Sequence, residues 1–282
     1  YHPFRLTPEG NGRKVVFNPL KLQPDGSYQM DFEQLEELVG CSSSRRRLVP
    51  PLASDKCRML ILSNPHNPAG ICWDVATLRR LARFCYEHDI IVISDEIHCD
   101  MALFGHRHVP FATVSPEAAE ISITFGAPSK TFNIAGIVSS YAIVPNPTLR
   151  RRFYHWLEAN ELNDPPLFAP IATIAAYRQG DEWRRQMLGY VEGNIRFVED
   201  FCRDHLPGIR PLRPQASFLV WLDCRGLGLS HRKLVDLFVN SARLALNDGE
   251  MFGPGGEGFM RLNVGVPRTI LQEALTRLSL VL

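Results

Sequence analysis

An α/β fold built on a mostly parallel sheet is what two observations predict. Short runs of β-branched and apolar residues alternate with stretches of helical periodicity along most of the chain. Two of the runs, RMLILSN (58–64) and IIVISDE (90–96), are apolar without alternation, as strands covered on both faces are. With 282 residues, 45% of them hydrophobic, the chain can bury a large core, so one large or two ordinary domains are expected.

The elements follow in order. VVFNPLKL and SYQMDF flank Pro24-Asp25-Gly26-Ser27 as extended chain around a turn. Asp31 with Gln34 forms a capping-box signature for the helix FEQLEELVG. The run Ser42 to Arg47 could touch nucleic acid, but no aromatic residue interleaves it and a solvated loop is the expectation. After RMLILSN, the prolines of NPHNPAG forbid helix, and Asp74 caps a helix with Val75, Leu78, Leu81 and Cys85 on one face. IIVISDE should be a central strand, and ISITF (121–125) and VSSYAIV (138–144) further strands. Helical pattern resumes at Thr148 and includes Trp183 to Phe201. SFLVWLD, a helix from Ser230, FMRLNVG and a last helix capped by Thr269 and Gln272 make a smaller α/β unit. The division expected is a large domain over 1–190 and a small one over 191–282.

Composition excludes several classes of function. Lys and Arg number 31 against 30 Asp and Glu, a net charge of +1, which offers no basic surface to nucleic acid or to an anionic membrane. No apolar run approaches the ~20 residues of a membrane span, because charge interrupts even VISDEIH and LVWLDCR. Neither a membrane nor nucleic acid is therefore an expected partner. Seven scattered cysteines with no CxxC pair argue against a disulfide scaffold or structural zinc and suggest a reducing, cytoplasmic compartment. The chain opens on YHPF, without an initiator Met or a signal region, and is expected to be N-terminally incomplete.

Four motifs set polar groups where a strand ends or a turn begins, the usual place of sites in open parallel sheets: NPHNPAG (64–70), SDEIHCD (94–100), APSKTFNIAG (127–136) and FMRLNVG (259–265). Lys130, among small and polar residues, is either a surface lysine or an amine turned inward for Schiff-base chemistry. Asp95 ends an apolar strand, so its carboxylate caps the next segment, reaches the solvent edge, or pairs with a buried cation. His98 is a satisfied core histidine or a site group, and Asn67 a turn former before Pro68 or a neutral donor. Arg261 pairs with an acid such as Glu257 or forks onto a ligand carboxylate. The glycines from Gly253 to Gly258 lack the strand-turn-helix order of a dinucleotide fingerprint and are expected to form a mobile loop.

In order and spacing these motifs resemble the fold-type I pyridoxal-phosphate enzymes of the aminotransferase class I and II superfamily, and within it the MalY/PatB branch of cystathionine β-lyases and cysteine-conjugate C–S lyases. The resemblance runs over essentially the whole chain. It implies pyridoxal 5′-phosphate as cofactor and a homodimer with active sites near the subunit interface. Lys130 would bind the cofactor and move the substrate α-proton, and Asp95 would keep the ring nitrogen protonated. Asn67 and His98 match positions around the cofactor's phenolic oxygen, Tyr1 matches the aromatic that stacks on the ring, and Ser129 offers a hydroxyl to the phosphate. Arg261, with Asn67, would receive the amino-acid α-carboxylate. The chain departs from the broader signature at Ala127, in place of a small hydroxyl residue, and at Val138, in place of an arginine. The family's glycine-rich phosphate segment falls upstream of YHPF.

The reaction implied is β-elimination on a sulfur amino acid such as cystathionine, giving a thiol, pyruvate and ammonia, with transamination as the alternative on one scaffold. DEIH and the APSKTFNIAG loop tilt the resemblance toward the lyases. Two readings from other classes stand beside it. Asp95, His98, Cys99, Asp100, His106 and His108 could hold a transition metal, although no HExxH-like helical pair is present. An incomplete chain could also be an inactive module that folds without turning over.

Overall fold

The computed structural model describes residues 1–40 and 57–282; the Ser42 to Arg47 run lies outside the described residues. Helix α1 (Pro3–Gly10) precedes a hairpin, β1 (Lys21–Leu22) with β2 (Tyr28–Gln29). Its turn holds Gly26 at φ 93°, a conformation that a residue without Cβ adopts freely. Ahead of α2 (Phe32–Gly40), Asp31 Oδ1 accepts from the Gln34 N–H at 3.0 Å. The reciprocal half of the capping box is missing, because Gln34 Oε1 accepts instead from Asn18 Nδ2.

The first sheet contains β3 (Met59–Ser63), β4 (Ile91–Asp95), β5 (Ser122–Gly126) and β6 (Tyr141–Ile143), in that spatial order. The first three are parallel and β6 runs antiparallel to β5, so IIVISDE is indeed an inner strand. Between them lie α3 (Val75–Glu87) and α4 (Pro116–Ile121). Asp74 caps α3 by accepting from the Thr77 N–H. Leu78, Leu81 and Cys85 are buried as the periodicity requires, while Val75, in the first turn, stays exposed. The strand expected from 121 starts at 122 because Ile121 closes α4. The strand expected over 138–144 shrinks to three residues because Val138 takes φ 53°, out of the extended region.

Three helices follow: α5 (Pro147–Ala159), α6 (Ala169–Gln179) and α7 (Asp181–His205). A second, antiparallel sheet is ordered β7 (Arg210–Leu212), β8 (Leu219–Asp223), β10 (Phe259–Asn263), β9 (Asn247–Asp248). It packs with α8 (His231–Asp236) and α9 (Arg268–Ser279). The expected cap at Thr269 is not made. Helix α9 starts at Arg268 behind Pro267, whose fixed φ suits a helix entry, and Thr269 lies inside the helix.

Two cores result. Phe32, Leu35, Leu62, Leu78, Leu81, Val92 and Phe111 form one around the parallel sheet. Ile195, Val198, Val220, Leu222, Met260, Leu262 and Leu275 belong to the other, around the antiparallel sheet. Fully burying a side chain of this size stabilises by about 1.5–3 kcal/mol, so each core can hold its own layer together.

Candidate active site

Parallel register gathers three of the four motifs on one sheet edge. Ser63 of β3 lies opposite Asp95 of β4, and Asp95 opposite Phe125 of β5, so the chain leaves all three strands at their C-terminal ends together. NPHNPAG, Asp95 and the Lys130 loop therefore share the edge where open α/β sheets bind ligands. The NPHNPAG turn is fastened there by Gly70. Its φ is 67°, a Cβ would collide with the Pro214 side chain, and its carbonyl accepts from the Gln215 and Ala216 N–H groups. Strand β10 brings Arg261 to this edge from the other sheet.

The most direct contact is between Arg261 and Asn67: Nη1 donates to Oδ1 at 2.7 Å. Nη2 donates to Asn247 Oδ1, also at 2.7 Å, and Phe252 lies 4.6 Å from the guanidinium carbon. Glu257 does not take the role of partner expected of an acid. Burial pushes the Arg261 guanidinium below its ordinary pKa, as happens when a cation leaves water without a carboxylate beside it.

Asp95 is partly buried, and Oδ1 accepts from the Ile97 N–H at 3.1 Å, so it does cap the following turn. Burial raises its pKa, against the opposing pull of that N–H and of the Lys130 charge. His98 is 5% exposed, packs edge-on against Phe218, and its Nδ1 has no hydrogen-bond partner among the described residues. Burial first, then the charges of Lys130 and Arg261, push its pKa down to about 4, so the ring is neutral. Lys130 is exposed in a turn after β5, with Ser129 half-buried beside it. Tyr1 packs against His2 and Phe4 at the start of α1. At the two departures, Ala127 is buried and Val138 exposed, so neither brings a donor.

The metal reading fails on geometry. Among the described residues no group of three His, Cys, Asp or Glu side chains is arranged to hold an ion. Instead His108 Nε2 lies 2.7 Å from Glu96 Oε2, and Glu96 Oε1 accepts from Ser94 Oγ and the Phe111 N–H. Cys99 is a partly buried thiol pushed up to about 12, chiefly by burial, and is a poor ligand in that state.

Sequence reasoning missed Asn247, Phe218, Phe252 and His66. Asn247, followed by Asp248 and Gly249, carries the signature of a turn, and no local signal marks it as an arginine's partner. His66, inside a motif already singled out, is partly buried with Nδ1 unpartnered among the described residues, and desolvation lowers its pKa to about 3. Nor is the glycine segment loose at both ends, since the Gly258 N–H donates to His231 Nδ1 at 3.0 Å.

The assembled groups are an amine, a partly buried carboxylate, a neutral imidazole with a free nitrogen, and a guanidinium whose hydrogen-bond partners among the described residues are two amides. Known proteins are similar to this chain in sequence and fold. Cystathionine beta-lyase PatB of Bacillus subtilis is 41% identical over 100% of this chain and 69% of its own length. Protein MalY of Escherichia coli is 32% identical over 99% of this chain and 67% of its own. Cystalysin of Treponema denticola, whose crystal structure contains pyridoxal 5′-phosphate, superposes with a TM-score of 0.90 at 30% identity, covering 100% of this chain and 68% of that one. The profile of the family described as aminotransferase class I and II matches residues 8–278, and the chain belongs to that family.

Proposed function

We propose that this protein is a pyridoxal-phosphate-dependent C–S β-lyase that acts on a cysteine S-conjugate such as cystathionine and releases a thiol, pyruvate and ammonia. The observation that carries the reading is the convergence of Lys130, Asp95 and Asn67 on one sheet edge with an arginine that has no carboxylate partner among the described residues. The residues present fit the cofactor. Asp95 is a desolvated carboxylate suited to a protonated ring nitrogen, and Asn67, with Oδ1 engaged by Arg261, keeps Nδ2 for an anionic oxygen. His98 adds a neutral nitrogen without a partner, and Ser129 a hydroxyl for the phosphate.

Bound there, pyridoxal phosphate supplies an electron sink for charge that develops at the substrate α-carbon. Asp95 holds a proton on the ring nitrogen by a charge-assisted hydrogen bond. Arg261 receives the α-carboxylate and so orients the Cα–H bond, while Lys130 Nζ anchors the cofactor and takes the α-proton. Departure of the thiolate from the β-carbon, with a proton delivered to the sulfur, would complete the elimination, and water would then hydrolyse the imine tautomer of the released aminoacrylate to pyruvate and ammonia.

Three further parts belong to the same proposal. The division into residues 1–190 and 191–282 is supported by the core around the antiparallel sheet, whose buried members all lie beyond 190 apart from Leu103. A homodimer is supported by the apolar side chains that α6 and its approach leave exposed, Leu167, Phe168, Ile171 and Ile174. Cytoplasmic residence is supported by the free thiols of Cys57, Cys72, Cys85, Cys99, Cys202 and Cys224. No helix among the described residues is long and apolar enough to cross a membrane.

The test is turnover of cystathionine by protein reconstituted with pyridoxal phosphate. Pyruvate and thiol released without any keto acid support the lyase. A requirement for keto acid, with stalling in the pyridoxamine form, makes the enzyme an aminotransferase. Protein that binds the cofactor with neither product is the inactive module.

A further inference from the structure

Strand β9 is two residues long and lies at the sheet edge, yet both of its residues are tied to groups that sequence does not connect. Asn247 is the register partner of Arg261, and its Oδ1 holds Arg261 Nη2 at 2.7 Å. The neighbouring Asp248 Oδ1 accepts from His231 Nε2 at 2.6 Å and from the Glu250 N–H at 2.8 Å. Because His231 Nδ1 accepts the Gly258 N–H, Nε2 must carry the ring proton, so this imidazole is neutral and fixed at both nitrogens. A short edge strand is thereby pinned where it can hold a side chain in one place.

A guanidinium has five N–H donors. Asn67 takes one on Nη1 and Asn247 one on Nη2, leaving one proton on each of these nitrogens and the unpartnered Nε–H. Both holders are amides. A carboxylate in either place would pair with the arginine and cancel the charge that a ligand carboxylate needs, whereas an amide oxygen fixes the plane of the fork and leaves its full charge.

We propose that Asn247 is a positioning residue that, opposite Asn67, aims the Arg261 fork at the substrate α-carboxylate. This rests on the reading of Arg261 as the carboxylate receptor. Asn247 touches no reacting atom in this account, so its loss weakens binding more than it slows the chemical step.

The experiment is a double-mutant cycle in the cofactor-loaded enzyme with cystathionine as substrate, together with calorimetric binding of L-alanine, whose β-carbon bears no leaving group. Asn247→Ala should raise KM about tenfold, the loss of one hydrogen bond to a charged group, with a smaller fall in kcat. Asn247→Asp, similar in shape but charged, should raise KM further by pairing with Arg261. The dissociation constant for L-alanine should rise in the same order, and cofactor absorbance should stay as in the parent. Arg261→Ala and the double variant Arg261→Ala/Asn247→Ala should share one KM. If Arg261→Ala raises KM while Asn247→Ala or Asn247→Asp does not, or if the two effects add, the positioning role of Asn247 is overturned. If Arg261→Ala leaves KM unchanged, the carboxylate-receptor reading itself fails.

Discussion

Arg261 Nη1 donates to Asn67 Oδ1 at 2.7 Å, joining the antiparallel sheet to the turn after β3 across 194 positions of sequence. The bond settles which way the Asn67 amide points. Its oxygen faces the arginine, so its NH₂ group is directed away, as a donor for the cofactor must be. One side chain thus ties Arg261, the proposed carboxylate receptor, to the sheet edge where the cofactor is proposed to sit.

Lys130→Ala should abolish turnover, since in the proposed mechanism one amine both anchors the cofactor and moves the α-proton. The side chain is exposed in a turn, so stability should change by no more than about 0.5 kcal/mol. Borohydride reduction of the loaded enzyme and peptide mapping should recover the cofactor on Lys130. Its recovery on another lysine would refute the assignment.

Asp95→Asn should separate rate from stability. Burial raises the Asp95 pKa, so the ionised carboxylate costs stability at neutral pH until a cation meets it. In cofactor-free protein the variant should denature at the same or a higher urea concentration at pH 7. In loaded enzyme kcat should fall by about 100-fold or more, as expected when a preorganised charge is removed from a dry site. Near-parent kcat with cofactor bound would make Asp95 a turn cap only.

Arg261→Ala should raise KM for amino-acid substrates by the equivalent of about 2–5 kcal/mol, the usual cost of truncating one partner of a buried charge pair. Cofactor absorbance should be preserved, because no ring contact is assigned to Arg261. Steady-state kinetics with cystathionine, set against a titration of the cofactor spectrum, tests both statements.

Folding stability of the cofactor-free protein should rise with pH between about 4 and 6.5. His98 titrates near 4 when folded against an ordinary 6.5, so the unfolded chain binds the extra proton throughout that window. Between pH 7 and pH 5 the loss from this residue should be about 2 kcal/mol, at roughly 1.4 kcal/mol per unit. Urea denaturation of the parent and of His98→Asn at both pH values checks it, and an equal pH slope in the two would place the titration elsewhere. His66, lowered to about 3 by burial, adds to the parent's slope in the same direction and persists in the variant.

Local chemistry made much of the molecule legible in the sequence. Apolar runs gave β3, β4, β8 and β10 because a strand covered on both faces tolerates few charges, and Asp74 announced α3 because an acceptor is needed where a helix begins. Lys130, Asp95 and Asn67 stood out because polar groups at strand ends are where a parallel sheet opens to ligands, and Arg261 because it interrupts an apolar strand. The sequence by itself could not show which of these meet. Register between β3, β4 and β5 puts three of them on one edge, and the pairing of β9 with β10 puts Asn247 beside Arg261. A two-residue edge strand has no periodicity to read. The failed cap at Thr269, the truncation of β6 and the unpartnered nitrogen of His98 were likewise decided in three dimensions, where packing and burial between residues distant in the chain override what each favours locally.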